Sequence, residues 1–229
     1  MVNKLKLFII KYKNKIRRYF TSNISKKAFI ARRVQFFGLD NIEIGDHCAI
    51  GENTTFTVND RSTREVSLRI GANTYIGRNN FFSVGRGVEI GEYCMFGNNC
   101  SFVCGDHVFD SPLVPYLMSG TTLEKRIYIG VNCWLGINVT VVGNVKIGHG
   151  SIIGANTMVT KDLPPFCIFV GNPGRIIKRF DFEKKLWIKG EEVESNQYFD
   201  EKIYLAYLRS NYGSLLISYY SASSQFGDI

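Results

Sequence analysis

The sequence predicts an all-β solenoid, a parallel β-helix built from six-residue repeats, on three observations. An aliphatic residue recurs every six positions in the second half of the chain. Gly follows most of these residues, and a mostly small residue comes four positions after each. A period of six is a multiple of the strand period of two and differs from the helical period of 3.6. The repeating aliphatic residues are Ile129, Leu135, Val141, Ile147, Ile153 and Val159.

Each hexad is interpreted as a short strand followed by a corner. The aliphatic side chain points inward, Gly and Asn take the turn, and the small residue lies at the crowded edge of the interior. Stacked coils then pair backbone to backbone and bury a continuous column. The alternative, unrelated strands of a β-sandwich, requires alternating segments of irregular length and fits a regular period of six poorly.

The same hexad appears earlier in the chain, so the predicted β-helix spans residues 34–172. Two gaps interrupt the hexads, at 57–68 and 105–126. These gaps predict loops that leave the column, and such loops tend to carry function. The earlier hexads form three pieces that begin at Ile44, Ile70 and Ile90.

The N-terminal arm, residues 1–33, predicts a basic amphipathic helix. It holds eleven of the 28 Lys and Arg residues and no acid, which leaves 17 basic against 20 acidic residues elsewhere, a net charge of −3. A body of that charge predicts no nucleic-acid partner. The arm is expected to cap the solenoid, with peripheral membrane contact through residues 1–20 as the alternative. The C-terminal extension, residues 173–229, is expected to be helical or irregular.

The six cysteines are expected to be reduced and buried. They include no C-x-x-C pair, and four of them occupy one repeat position. No apolar stretch approaches the roughly 20 residues of a membrane-spanning helix, and the apolar run near the N-terminus is too short for a signal peptide. These features predict a cytoplasmic protein, with attachment to the inner face of the membrane as a further expectation if the arm binds lipid.

Three segments carry a resemblance to a known family. Residues 129–136 read I-G-V-N-C-W-L-G, residues 160–165 read T-K-D-L-P-P, and residues 171–175 read G-N-P-G-R. These resemble the I-G-x-N-x-W-I-G, T-K-D-x-P and G-x-P-x-R motifs of the hexapeptide-repeat acyltransferases, in the sugar O-acetyltransferase branch with the galactoside and maltose acetyltransferases. The resemblance implies a left-handed β-helix, a homotrimer with active sites at subunit interfaces, acetyl-CoA as co-substrate and a saccharide acceptor.

The resemblance also implies that His107 is the general base. The segment from Ile90 to His107 resembles the coil and loop that carry the catalytic histidine in the sugar O-acetyltransferases. His107 lies where a strand enters the long loop, whereas His47 and His149 fall at corners and are expected to face solvent. Asp106 and Asp110 are candidates for orienting the imidazole, although an acidic loop is equally expected to be simply solvated.

The implied CoA site lies along one edge of the prism. Backbone contacts fall on Ile137 and Ala155, and cations suit the phosphates of CoA, with a solvated basic rim as the alternative for the lysines and arginine. Trp134 is expected to face outward, as a wall of the thioester site or as a trimer contact. The implied cofactor-binding residues are Trp134, Ile137, Ala155, Thr160, Lys161, Arg175 and Lys178. The candidate acceptor contacts are Asn80 and Ser83, with Asn79 as an alternative to the first.

The predicted function is transfer of an acetyl group from acetyl-CoA to a sugar hydroxyl, in assembly of a bacterial surface polysaccharide. An acetyl-CoA-dependent N-acetyltransferase acting on an amino sugar or another small amine is the first alternative. A non-catalytic β-helix scaffold is the second. A zinc carbonic anhydrase requires three converging histidines, and the three in this chain lie 60 and 42 residues apart, so no metal is expected.

Overall fold

The described chain winds as a parallel β-helix, as the hexads predict, and the helix is left-handed, as the family resemblance implies. The computed structural model describes residues 23–190 and 200–223, with side chains up to residue 213. Most of the predicted N-terminal helix therefore lies outside the described residues. Each coil passes through a five-stranded, a nine-stranded and a six-stranded sheet in turn, and these sheets form the three sides of a prism.

The strands are short and pair in parallel from coil to coil, because each hexad supplies only one side of the prism. The five-stranded sheet contains Ile42–Ile44, Leu68–Ile70, Gly87–Ile90, Arg126–Ile129 and Val145–Ile147. The nine-stranded sheet contains Phe29–Ile30, Ala49–Ile50, Tyr75–Ile76, Met95–Phe96, Trp134–Leu135, Ile152–Ile153, Cys167–Gly171, Gly174–Asp181 and Leu186–Lys189. The six-stranded sheet contains Gln35–Phe37, Thr55–Val58, Phe81–Val84, Ser101–Val103, Thr140–Val142 and Met158–Val159. A 3-10 helix, Leu39–Asn41, and a two-stranded hairpin, Asp106–His107 with Thr121–Thr122, complete the β-helical part.

The interior is a column of stacked side chains that the hexads place at equal heights. Phe36, Phe56, Phe82 and Phe102 form a continuous ladder with ring centroids 5.3, 4.8 and 4.4 Å apart, and Phe96 joins it at 5.2 Å from Phe102. The last four of these rings are fully buried. Because parallel in-register strands stack identical positions, the aromatic positions of successive coils meet face to face.

Asparagines form the corner between the nine-stranded and six-stranded sheets, which we call the asparagine edge. All five have φ between 57° and 60°, a left-handed conformation that Asn tolerates better than most residues. Each of the first four side-chain amides donates to the side-chain oxygen of the asparagine in the next coil, at 2.9 to 3.2 Å. The hydrogen-bonded chain therefore stabilises one corner along the length of the column. Its members are Asn53, Asn79, Asn99, Asn138 and Asn156.

The six cysteines are free and buried, as predicted. Burial raises the pKa of Cys48 to about 12, and raises the pKa of Cys100 and of Cys104 to about 11. A thiol with a raised pKa stays uncharged at pH 8, and the thiolate is the reactive form.

We therefore expect none of the six thiols to react with Ellman's reagent at pH 8 until the protein is unfolded in guanidinium chloride. All six should then react. Since the folded-state pKa values of Cys48, Cys100 and Cys104 exceed the unfolded value of 9, these three thiols stabilise the fold below pH 9. That contribution is lost as the pH rises towards 11 to 12. Rapid stoichiometric labelling of the folded protein at pH 8 would contradict this account of the core.

The column begins earlier than residue 34, where the sequence placed its start. Ile24 bridges to Ile44, and the strand Phe29–Ile30 pairs in parallel with Ala49–Ile50. Ile24 and Ala28 are buried in the same core as the later coils. The first coil was missed because its charged residues at 26, 27, 32 and 33 fall on exposed positions and made this segment look like part of the basic arm.

The C-terminal extension contains two strands that the sequence did not predict. After the cis peptide bond Asn172–Pro173 the chain reverses, and Gly174–Asp181 runs antiparallel to Cys167–Gly171. Leu186–Lys189 then pairs antiparallel with Gly174–Asp181 and ends the nine-stranded sheet. We call these two strands the terminal hairpin. Their mixed polar pattern carries no period of six, so the repeat alone could not reveal them.

The helix α1, Glu201–Ser223, packs against the corner between the five-stranded and nine-stranded sheets. Glu201 accepts hydrogen bonds from the Tyr128 hydroxyl at 2.6 Å and from the Val131 backbone N–H at 2.7 Å. The ring of Tyr204 lies 5.7 Å from that of His149, which is 6 % exposed. The expectation that His149 faces solvent is therefore wrong, because α1 covers its corner.

Candidate functional site

His107 lies on a hairpin that leaves the column at the end of the strand Ser101–Val103. The short strand Asp106–His107 pairs antiparallel with Thr121–Thr122, with His107 opposite Thr121. Its side chain is exposed, as a base that must meet a diffusing acceptor requires. The general-base role of His107 stays a prediction, and the structure gives it an accessible position on a paired rather than a free loop.

Asp106 stabilises the base of this hairpin. Its carboxylate accepts the backbone N–H of His107 at 2.9 Å and the Lys125 ammonium at 2.8 Å. The hydrogen bond from Lys125 holds the pKa of the Asp106 carboxyl below its ordinary value. Asp106 therefore links the two arms of the hairpin, and no hydrogen bond between Asp106 or Asp110 and the His107 imidazole occurs in the described part of the chain.

Ile137 and Ala155 lie one above the other on the asparagine edge. Ile137 is half exposed, and the Asn156 N–H donates to its carbonyl oxygen at 2.9 Å. A Cβ added at Gly136 would lie 2.7 Å from the Ala155 nitrogen, so the coils approach here as closely as glycine allows. Within the described chain, the backbone N–H groups of Ile137 and Ala155 donate no hydrogen bond. Both are thus free for the backbone contacts predicted at these positions.

The turn before Arg175 sits at the upper end of the asparagine edge. The Gly171 N–H donates to the Thr157 hydroxyl at 3.0 Å, which fixes this turn one residue beyond Asn156. Arg175 and Lys178 are exposed on the first strand of the terminal hairpin. The edge therefore offers the backbone N–H groups of Ile137 and Ala155 and, in the next coil, the Arg175 guanidinium, whereas Lys178 lies opposite Ile168, farther from the edge.

Thr160 and Lys161 are exposed, but they lie past the strand Met158–Val159, at the far side of the six-stranded sheet. The structure does not bring these two residues to the asparagine edge within one chain. The adjacent Asp162 accepts the Lys146 backbone N–H at 2.7 Å, which anchors this corner. Their predicted contacts with the nucleotide end of CoA stay predictions.

Trp134 faces outward from the nine-stranded sheet and is 48 % exposed. Met95 and Ile152 flank it in the neighbouring coils, and Tyr75 and Phe29 continue the same outward row. An exposed apolar row of this length is typical of a surface that another molecule covers. The row favours the subunit-contact alternative for Trp134 without removing the thioester-wall alternative.

Asn80 and Ser83 differ in their surroundings. Asn80 is 1 % exposed, its amide donates to the carbonyl oxygens of Gly77 and Gly97, and its own oxygen accepts the Cys100 N–H. Its side chain holds the interior corner and is not available to an acceptor, so we drop that prediction. Ser83 faces outward and lies beside Gly105, which precedes His107 by two residues. Ser83 therefore stays a candidate contact of the acceptor.

The sequence itself held the signal that Asn80 is interior. It lies four positions after Ile76, and the structure buries that repeat position in each neighbouring coil. The alternative, Asn79, is exposed and belongs to the asparagine edge. Repeat position was therefore a better guide here than the family resemblance.

The asparagine edge lies before the strand Ser101–Val103, and the hairpin that carries His107 lies after it. The edge residue Asn99 precedes Ser101–Val103, whereas the hairpin follows it at Cys104. Five residues of extended chain span roughly 16 Å. A thioester bound along this edge and the His107 imidazole therefore lie on different edges of one prism, and the long loop or a second subunit has to bring them together.

The tip of the His107 loop is apolar and exposed. Leu113 and Leu117 are 92 % and 90 % exposed, and Met118 and Phe109 are more than two-thirds exposed. Such a cluster on a loop is typical of a contact with another molecule. The loop therefore has the composition expected of a segment that reaches a neighbouring copy.

The other two histidines do not approach His107. His47 and His149 lie on the corner between the five-stranded and nine-stranded sheets, and α1 covers His149. In residues 23–190 and 200–223, no group of three or more His, Cys, Asp or Glu side chains is placed to hold a metal ion. None of the helices in the described chain is both long and apolar enough to cross a bilayer.

Comparison with known proteins agrees with the hexapeptide-repeat fold. Residues 126–161 match the family described as bacterial transferase hexapeptide (six repeats). A Staphylococcus aureus (strain Mu50) protein that bears an acetyltransferase name is 40 % identical over 116 residues, which cover 50 % of this chain and 56 % of the relative. The alignment thus spans little more than half the length of the first curated relatives.

Two further proteins match over a larger share of their length. The galactoside O-acetyltransferase of Escherichia coli K12 is 30 % identical over 151 residues, covering 58 % of this chain and 74 % of the enzyme. A hexapeptide-repeat-containing acetyltransferase of Vibrio cholerae, solved in complex with acetyl coenzyme A, superposes with a TM-score of 0.50. It is 26 % identical, with 59 % of this chain and 69 % of that chain covered.

Proposed function

This chain belongs to the hexapeptide-repeat acetyltransferases, and from that premise we propose that it transfers the acetyl group of acetyl-CoA to a sugar hydroxyl. The observation that carries the proposal is the asparagine edge, where the free N–H groups of Ile137 and Ala155 lie below the exposed Arg175. An extended pantetheine arm suits the backbone donors, and the CoA phosphates suit the cation. The galactoside and acetyl-CoA relatives support the choice of acceptor and donor.

The chemistry requires one base and a positioned thioester. The His107 imidazole takes the proton of the acceptor hydroxyl as its oxygen attacks the acetyl carbonyl carbon. The new C–O bond forms, the C–S bond then breaks, and the imidazolium returns its proton to the departing CoA thiolate. The products are an acetyl ester and free CoA, so the base is regenerated at the end of each turnover.

We propose a homotrimer in which the active site lies between two subunits. Its support is the separation of His107 from the asparagine edge within one chain, together with the apolar tip of the His107 loop. The apolar row through Trp134 supplies a second surface that an assembly would cover. Trp134, Thr160, Lys161, Arg175 and Lys178 remain proposed contacts of the donor, and Ser83 of the acceptor.

The cellular setting follows by association and is part of the same proposal. Buried, unpaired thiols suit the reducing cytoplasm. Attachment to the inner face of the membrane through residues 1–20 rests on the basic arm, and assembly of a surface polysaccharide rests on the saccharide acceptor. We expect no metal and no nucleic-acid partner.

The test is an acetyl-CoA thiol-release assay against a panel of saccharides and amino sugars. We expect CoA release that depends on a saccharide, and a product heavier by one acetyl group. Neutral hydroxylamine should remove that group, because it cleaves esters and leaves amides intact. A hydroxylamine-resistant product would favour the amine-acceptor alternative. If none of the acceptors in the panel gives CoA release, the result would count against the proposal.

A further inference from the structure

A groove lies beside the His107 hairpin, on the outer face of the five-stranded sheet. Its volume is about 460 Å³, within the range of small-molecule sites. Its floor is made by outward-facing residues of three adjacent strands, Leu68–Ile70, Gly87–Ile90 and Arg126–Ile129. Its walls are the loop at 59–67 and the chain that returns from the hairpin at 123–124.

Both walls are anchored, so the groove is formed before any ligand binds. The buried Asn41 amide donates to the carbonyl oxygens of Thr63 and Glu65, each at 2.8 Å, and holds the first wall. On the second wall, Arg86 forms an ion pair with Glu124 at 3.2 Å, and its N–H donates to the Lys125 carbonyl at 3.1 Å. A preformed site of this kind binds without first having to order its loops.

Glycine leaves the middle of the floor open. A Cβ added at Gly87 would lie 3.5 Å from the Ser67 carbonyl oxygen and 3.9 Å from the Arg126 side chain, both ordinary contacts. A larger side chain would therefore be tolerated by the backbone and would occupy the groove. Beside it, the Ser67 hydroxyl is shielded from solvent and has no hydrogen-bond partner within the described chain.

The charges of the lining select against an anionic ligand. Three arginines, at 69, 86 and 126, face four acids, at 60, 65, 89 and 124. A near-balanced set of donors and acceptors suits the hydroxyl groups of a neutral sugar, whereas the phosphates of CoA would meet the four carboxylates. The groove is thus distinct in chemistry from the asparagine edge.

The groove lies within reach of His107 but not beside it. Thr121 is opposite His107, and the wall residues Leu123 and Glu124 follow two and three positions later. An extended chain covers about 7 to 10 Å over that interval. We propose, building on the proposed function, that this groove binds a neighbouring neutral sugar unit of an oligosaccharide acceptor whose acetylated unit lies at His107.

The test compares acceptors of increasing length in the thiol-release assay with the full chain. The probes are two matched series, glucose to maltotriose and galactose to β-1,4-galactotriose. We expect kcat/KM of the wild type to rise by about tenfold or more from mono- to trisaccharide in the series that is used, mainly through KM. In Gly87→Val, which fills the groove, kcat/KM for the trisaccharide divided by kcat/KM for the monosaccharide should fall to near one. We call this quotient the length ratio.

A matched control and a second variant keep the test independent of folding. Thr55→Val changes an outward residue of the six-stranded sheet and should leave the length ratio as in the wild type. Glu89→Gln removes the charge of an exposed side chain on the floor, so the melting temperature should stay near that of the wild type while the length ratio falls.

The outcomes separate this inference from the proposed function. Acetylation that does not depend on acceptor length, or a length ratio that survives Gly87→Val, would overturn the groove assignment and leave acetyl transfer standing. If no saccharide in either series supports CoA release, the proposed function fails, and the groove assignment fails with it.

Discussion

His107→Ala is expected to lower kcat for acetyl transfer by about 10²- to 10⁴-fold, the range that a positioned general base contributes. Its imidazole is the exposed group on the hairpin, and neither of the other histidines can replace it, because both lie on another corner. The melting temperature should not change, since the side chain is outside the core. KM for acetyl-CoA should also change little, because the predicted donor contacts lie on the asparagine edge.

The measurement is CoA release under saturating substrates, with His47→Asn as the matched control. His47 has φ of 57°, so asparagine keeps its backbone conformation, and activity should stay at the wild-type level. Undiminished kcat in His107→Ala would remove the proposed base. Equal losses in both variants would point to a general effect on folding or assembly.

Phe82→Ala should give the largest loss of stability, about 3 to 5 kcal/mol in the free energy of unfolding. The ring is fully buried at the centre of the phenylalanine ladder, 4.8 Å from Phe56 and 4.4 Å from Phe102. Its removal leaves a cavity between coils that parallel hydrogen bonds hold at a fixed spacing, so little relaxation is possible. Urea unfolding at constant protein concentration measures the loss.

Phe81→Ala is the control. Phe81 directly precedes Phe82, but its ring lies on the outer face of the sheet and is 42 % exposed. A cost below about 1.5 kcal/mol is expected for this half-exposed ring. Any part of that cost due to a subunit contact will vary with protein concentration. If both variants unfold at the same urea concentration, the alternation of inward and outward positions is wrong.

The sequence predicted the column well because one physical rule repeats along it. The residue that starts each hexad must be inward in every coil, and Ile129, Leu135 and Val141 are all fully buried. The same rule also predicted the buried cysteines. Where it was set aside, as for Asn80, the interpretation was wrong.

Features that do not repeat were the ones the sequence could not place. Burial of His149 depends on α1, which begins more than fifty residues later and carries no period in common with the coils. The groove beside the hairpin depends on Gly87, Ser67 and Arg126, which become neighbours only when three coils are stacked in register. The spacing of residues within one hexad does not predict which residues of different loops will be in contact.

The terminal hairpin has a consequence for how the molecules behave in crowded solution. A column whose last coil ended in an open parallel edge would present a template on which another chain could continue the winding, and filaments could grow end to end. Here the strand direction is reversed twice, and the outermost strand carries Lys189 and follows Lys184 and Lys185. The two antiparallel pairings end the parallel winding of this sheet, and the like charges at its edge repel a second copy. End-to-end growth through this sheet is therefore disfavoured, and the protein is expected to remain as discrete particles at high concentration.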